Sequence, residues 1–249
     1  MSLWLNGGFW GPWIRRVFVP EIEWTRRAVL DHILPSIPDP KVEGERAQKE
    51  AWETLISRPS DGSDDPGTFA EWAQEQAIQV YERLSNMRQT VANMAAVMLW
   101  QLMEQQMLMY HMHQVLNIHE EQEVRGNKKH RDKMYRLGEF HSRLEIDGYS
   151  MKSLPSWSKI DELRLIANVV KHGSGPSLDD LSKLRPDLLE PPGIKDISLL
   201  VKHQPSWVER PAGGEDLFVR DADLVVFFDA AARLWQEFSI QIEEHSARR

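Results

Sequence analysis

The residues best equipped to do chemistry are concentrated in one short stretch, 158–172. The chain has no cysteine, so histidines, carboxylates and cationic side chains must carry any reaction, and thiolate nucleophiles, iron–sulfur clusters and cysteine-ligated zinc are excluded. On a helical wheel of about 100° per residue with Ile160 at zero, Leu163, Ile166, Ala167 and Val170 fall between about 240° and 340°. Leu165 and Val169 form a second apolar edge near about 140° to 180°. Between these edges lies a polar island of Arg164, Asn168, Asp161 and His172, spread over about 80°, with Lys171 just outside it. A plainly solvated helix is polar across the whole arc, so a bounded polar strip predicts a cleft or an interface. His172 is suited to moving a proton near neutral pH. The structural alternative pairs Asp161 with Arg164, lets Asn168 bond a neighbour, and uses Lys171 and His172 to satisfy the last helix carbonyls.

No metal or cofactor is expected. His111 and His113 differ by about 200° on a helix, so with His119, Glu120 and Glu121 they do not make a one-faced ligand set, and no His-Glu-x-x-His pattern occurs. There is also no phosphate-binding Gly-Lys-Ser/Thr loop, dinucleotide glycine fingerprint or nucleophile elbow.

The stretch Asp161-Glu-Leu-Arg-Leu-Ile-Ala-Asn-Val-Val-Lys-His-Gly173 resembles the signature helix of the HEPN superfamily, in which a polar residue, usually Asn, is followed after three residues by His. The resemblance implies an antiparallel helical bundle that dimerises with the signature helices of two subunits facing each other. Many members are metal-independent endoribonucleases of bacterial defence or toxin–antitoxin systems. Carried over by position, Asn168 matches the polar residue and His172 the histidine. The Arg that precedes the polar residue in catalytic members is Ala167 here, which removes a guanidinium suited to holding phosphate. Lys171 or Arg164 would have to supply the cation, Lys without the bidentate fork. The resemblance then implies attack of a 2'-hydroxyl on phosphorus, with His172 as acid–base group and Asn168 orienting it. A homodimer would bring two such histidines together, and an inhibitor or other partner protein is compatible with such systems. The alternative is a non-catalytic HEPN-like module that binds or assembles with a partner protein or a nucleotide.

The expected fold is mainly α, an antiparallel helical bundle of HEPN-like type, with an aromatic N-terminal segment and a Pro-rich C-terminal elaboration ending in a helix. The expected parts are residues 1–67, 68–175 and 176–249. Residues 68–125 contain no Gly or Pro, and Val80, Leu84, Met87, Val91, Met94, Met98 and Leu102 mark one helical face. All 58 residues as one rod would run about 87 Å, so the rod either projects or breaks, at Ser85-Asn86 or near Asn117. Met94, Met98, Met103, Met107, Met109 and Met112 fill a bundle core or line a groove. A second hairpin joins helices over 128–146 and 158–172 and ends at Gly173 and Gly175. Weak strand signals lie at 197–201 and 217–219 among Pro186, Pro191, Pro192, Pro205 and Pro211, before a last helix over 221–244. At the other end, Trp4, Trp10, Trp13 and Trp24 among glycines and prolines read as a turn-rich segment laced onto the core rather than a membrane foot.

Charge narrows the partners. The 249 residues include 41% hydrophobic and 27% charged, with 30 basic against 38 acidic for a net charge of -8. That balance argues against a sequence-independent duplex-DNA binder. Residues 125–143 are locally basic, with Arg125, Lys128, Lys129, Arg131, Lys133, Arg136 and Arg143 against Asp132 and Glu139, suited to an RNA backbone. They equally suit a solvated surface, or the acidic 39–75 stretch, ten acidic against four basic residues, of the same or a partner chain. The nearly uncharged run 91–103 is too short to span a bilayer, and a cytoplasmic protein without a membrane anchor is expected.

Overall fold

Helix α4, Pro66–Tyr110, is 45 residues long, about 67 Å at 1.5 Å per residue, and the other helices are arranged around it. The structure, a computed structural model, describes residues 6–58, 65–116, 118–146, 148–190 and 216–247. Asp65 caps α4 by accepting from the Gly67 amide at 3.0 Å, and Pro66 opens it where a missing N–H costs nothing. Of the alternatives the sequence leaves open, a break at Ser85-Asn86 does not occur, since α4 runs through it. Just beyond, the Arg88 guanidinium donates to the Leu34 carbonyl at 3.1 Å and to Asp221 at 2.5 Å, which ties the continuing helix to two other segments. At its C-terminal end α4 runs into a π turn, His111–Val115, and Leu116 leaves it in extended backbone; Asn117 lies outside the described residues.

The N-terminal segment is helical where turns were expected. Helix α1, Gly7–Arg16, and helix α2, Phe18–Arg27, run antiparallel to the long terminal helix α10, Asp221–Ala247. The glycines that argue against a helix by propensity serve contact instead. A Cβ on Gly7 would stand 2.2 Å from the Ile242 carbonyl oxygen, and one on Gly11 2.3 Å from Glu243 Oε1. Arg15 then pairs with Glu243 at 2.7 Å. The lacing itself is aromatic: Trp10 meets Tyr110 at 5.1 Å, Phe18 meets Trp235 at 4.7 Å, and Tyr110 meets Phe238 at 5.3 Å between ring centres. Trp4 lies outside the described residues.

Helix α3, Pro40–Ile56, folds back along the first half of α4. Gly44 sits against the α4 backbone, where a Cβ would be 3.1 Å from the Ala77 carbonyl oxygen. Among the described residues α3 makes no other substantial helix contact, so α3 and the start of α4 form a two-helix arm standing off the bundle. The rod projects, and it projects with one helix along its side.

Residues 128–146 divide into α6, Lys128–Met134, and α7, Leu137–Ile146, preceded by α5, Ile118–Gly126. One continuous helix was expected there; instead Met134 turns into a small core with Leu116 and Val124. Helix α8, Trp157–His172, packs against α4 and α10 and is followed by α9, Pro176–Leu184. The strand signal at 217–219 gives extended backbone without a strand partner. The Gln89 side-chain amide donates to the Val219 carbonyl at 2.9 Å and that of Asn93 to the Leu217 carbonyl at 2.8 Å, so side chains satisfy what a neighbouring strand would. Residues 197–201 and Pro191, Pro192, Pro205 and Pro211 lie outside the described residues. One continuous core runs from Trp10 to Ile242, drawing on all three expected parts of the chain. Among the described residues no strand occurs and no helix is long and apolar enough to cross a membrane.

Candidate functional site

Helix α8 presents its polar island as the wheel predicts. Ile160, Leu163, Ile166, Ala167 and Val170 are buried, and so are Leu165 and Val169 on the second edge. Arg164 donates through Nε to Asp161 at 2.7 Å, the structural pairing. Asn168 donates to the Ser177 hydroxyl at 3.4 Å, holding the start of α9 against the last turns of α8. Gly173 ends the helix with φ of 69°, a conformation that costs a residue with a Cβ. His172 is exposed and Lys171 half-buried beside the helix C-terminus, where a cation is favoured by the exposed carbonyls. Ala167 is fully buried, so the position just before Asn168 faces the core and holds no cation. The cations nearest to His172 in sequence are therefore Lys171 on the same turn and Arg164, which is already paired.

A second cluster on α8 was missed from the sequence. Glu162 is only 3% exposed and meets the Arg185 guanidinium, while Lys159 donates to its other oxygen at 2.7 Å. Arg185 also donates to Asp187 at 2.8 Å and Asp223 at 2.7 Å, and Arg220 pairs with Asp187. These hydrogen bonds, with Asp187 foremost, raise the Arg185 pKa and hold the Asp187 carboxyl below its ordinary value. The corner locks α8, the end of α9 and the start of α10 together. Its signal was on the wheel: Glu162 falls at about 200°, an acid beside the apolar pair Leu165 and Val169, which demands a buried counter-charge.

The basic residues lie elsewhere. Arg125 pairs with Glu121 at 2.6 Å, Arg143 with Glu120 and Glu139 at 2.9 Å each, and Lys133 with Glu139 at 3.7 Å. Arg143 is thereby a half-buried structural cation. Lys128, Lys129, Arg131 and Arg136 have no ion pair among the described residues. Between the end of α4, α5 and α6 opens a groove of about 650 Å³ with Leu108, Met109, Met112 and Val124 along it and Arg125, Arg131 and Tyr135 at its rim. This end of the molecule is not beside His172. His141 of α7 stacks edge-on against Trp157 at 5.0 Å, which places α7 at the opposite end of α8, and His172 is fifteen residues further on, about 22 Å. His172 and the basic residues of α5 and α6 lie on two separate surfaces.

No family model, curated protein or solved structure matches this chain. Its chemistry is therefore judged on its own geometry. Among the remaining histidines, His111 is buried against Phe140 in the π turn, and burial, aided by Arg143, lowers its pKa from 6.5 to about 4. Burial likewise lowers His141 to about 4, with Lys152 adding repulsion. Both are neutral packing groups near pH 7. His113, by contrast, is exposed at the groove, so the 111/113 pair diverges as its spacing predicts.

Proposed function

We propose that the chain is a non-catalytic HEPN-like assembly module, a helical scaffold that engages a partner protein. The observation that carries this reading is the α3–α4 arm, which stands off the bundle with Val42, Trp52 and Ile56 exposed on it. Ala167 supports the non-catalytic part, since a buried methyl cannot neutralise charge on a phosphorane. Burial of Leu165 and Val169 also leaves α8 little apolar surface with which to pair in the manner of HEPN dimers.

A second reading keeps one specific observation. His172 is exposed beside Lys171, with Asn168 one turn away, and these with Arg164 are the residues that metal-independent RNA cleavage would use. Lys128, Lys129, Arg131 and Arg136 would then hold the RNA backbone. Incubating the purified chain with total RNA in EDTA, beside His172→Ala and Asn168→Ala at equal folded concentration, separates the two. The assembly reading expects identical RNA in all three lanes, and cleavage by the native chain alone would overturn it.

A further inference from the structure

We infer that the groove between the end of α4, α5 and α6 binds a monoanion with an apolar body, of the fatty-acid class, its chain along Met109 and Met112 and its carboxylate on Arg131. The inference goes beyond the assembly reading and needs neither the arm nor His172. At about 650 Å³ the groove has the volume of an ordinary ligand cleft, about 300–1,000 Å³. Its apolar side comes from Leu108, Met109 and Met112, where α4 passes into the π turn, and from Val124 of α5. Val124 is buried with Leu116 and Met134 in a small core of its own, against which Met112 packs, so the floor rests on packed side chains. Met109 is 43% exposed on the same floor. Thioether side chains are flexible and polarizable, which suits them to an alkyl chain of no fixed shape.

One charge at the groove lacks a partner. Arg125 is neutralised by Glu121 at 2.6 Å, and both belong to the groove lining, so that pair adds no net charge. Arg131 lines the same groove, is half-buried, and makes no ion pair or side-chain hydrogen bond among the described residues. It therefore brings one uncompensated positive charge to an apolar surface. Its planar fork fits a carboxylate through two parallel hydrogen bonds. Tyr135 follows four residues later, one turn on along the same face, and its phenol supplies a further donor at the groove. Lys128 and Lys129 of α6, also without ion pairs, outweigh Asp132 and draw anions to this end of a chain whose net charge is -8. A polyphosphate would need more cations than the groove itself holds, and a neutral lipid would leave Arg131 unused. A single carboxylate on an alkyl chain matches both the charge and the floor.

Calorimetric titration of the full chain with hexanoate, octanoate and decanoate, each below its micelle-forming concentration, tests this. Decanoate should bind saturably, one molecule per chain, and the Kd should fall by up to about fourfold for each methylene added along the series. Arg131→Gln should weaken decanoate at least about tenfold, yet change the affinity for decanol, which shares the chain and lacks the charge, by less than about twofold. Tyr135→Phe should weaken decanoate about threefold. Met109→Asp, an exposed change that circular dichroism should find fully helical, should weaken decanoate and decanol alike. No saturable binding of decanoate, an affinity indifferent to Arg131→Gln or to Met109→Asp, or tighter binding of decyltrimethylammonium overturns the inference. Binding of phosphatidylglycerol vesicles or of an acidic amphipathic peptide, without binding of monomeric decanoate, gives the groove to another occupant and overturns it equally. The assembly reading fails separately, through His172-dependent RNA cleavage.

Discussion

The α8–α9–α10 corner and the α3–α4 arm are both built from amphipathic helices, yet they solve burial differently. In the corner every buried charge has a partner: Glu162 reaches Arg185 and Lys159, and Asp223 reaches Arg185 and Arg220. Leu163 and Ile166 of α8 and Leu224 and Phe228 of α10 are buried in the core. In the arm, burial is confined to small or single side chains, Gly44, Ala51, Leu55 and Ala73, while Trp52, Trp72, Ile78 and Tyr81 remain exposed. The corner is finished within one chain; the arm has apolar surface left over. Large unpartnered apolar faces mark interaction sites rather than structural cores, and the contrast separates what holds this protein together from what it offers to others.

That contrast can be broken or sharpened by four measurements. Arg185→Ala strips Glu162 and Asp223 of their shared cation and should cost about 3–5 kcal/mol, read as a lowered urea midpoint at constant slope; a loss under about 1 kcal/mol would show the corner to be ornamental. Acid comes next. The depressed His111 pKa means that the unfolded chain binds a proton the folded one refuses between pH 6.5 and about 4. Stability therefore rises with pH across that window, and about 3 kcal/mol is lost as pH falls through it. His111→Leu should flatten that part of the profile, while Asp187, whose pKa is lowered from 3.8, loses its contribution only at lower pH. Gly7→Ala drives a methyl into the Ile242 carbonyl and should cost about 1–3 kcal/mol. The smallest effect belongs to the arm: Trp52→Ala should change global stability by less than about 0.5 kcal/mol in the isolated chain. A loss of several kcal/mol there would mean that the arm is already part of a finished core.

Where helical periodicity and local chemistry agree, the structure was legible beforehand. The face of α8, its end at His172-Gly173 and the Asp161–Arg164 pair all follow from spacing of three and four. The failures have physical causes. Gly7 and Gly11 look like breakers because propensity scores a lone helix, whereas here they admit a second helix at close range. Glu162 needed Arg185, 23 residues away and across a turn, and no local window contains both. The 217–219 stretch reads as a strand because its backbone is extended, but its hydrogen-bond partners are the amides of Gln89 and Asn93, more than a hundred residues earlier. For the candidate site, residue identities could be read and separation could not: nothing in the order of the chain tells that α7 meets the first turn of α8 and so sets Arg131 and His172 far apart.

The uninterrupted length of α4 has a mechanical consequence. Its second half is clamped in the bundle while its first half extends beyond it, so the helix acts as a lever whose fulcrum lies near Arg88. The twenty or so residues beyond that point span about 30 Å, and a tilt of only 5° at the fulcrum would carry the arm's tip through about 3 Å. Whatever seizes the tip gains leverage on the Arg88 contacts with Leu34 and Asp221, and a load applied there is felt first at the start of α10.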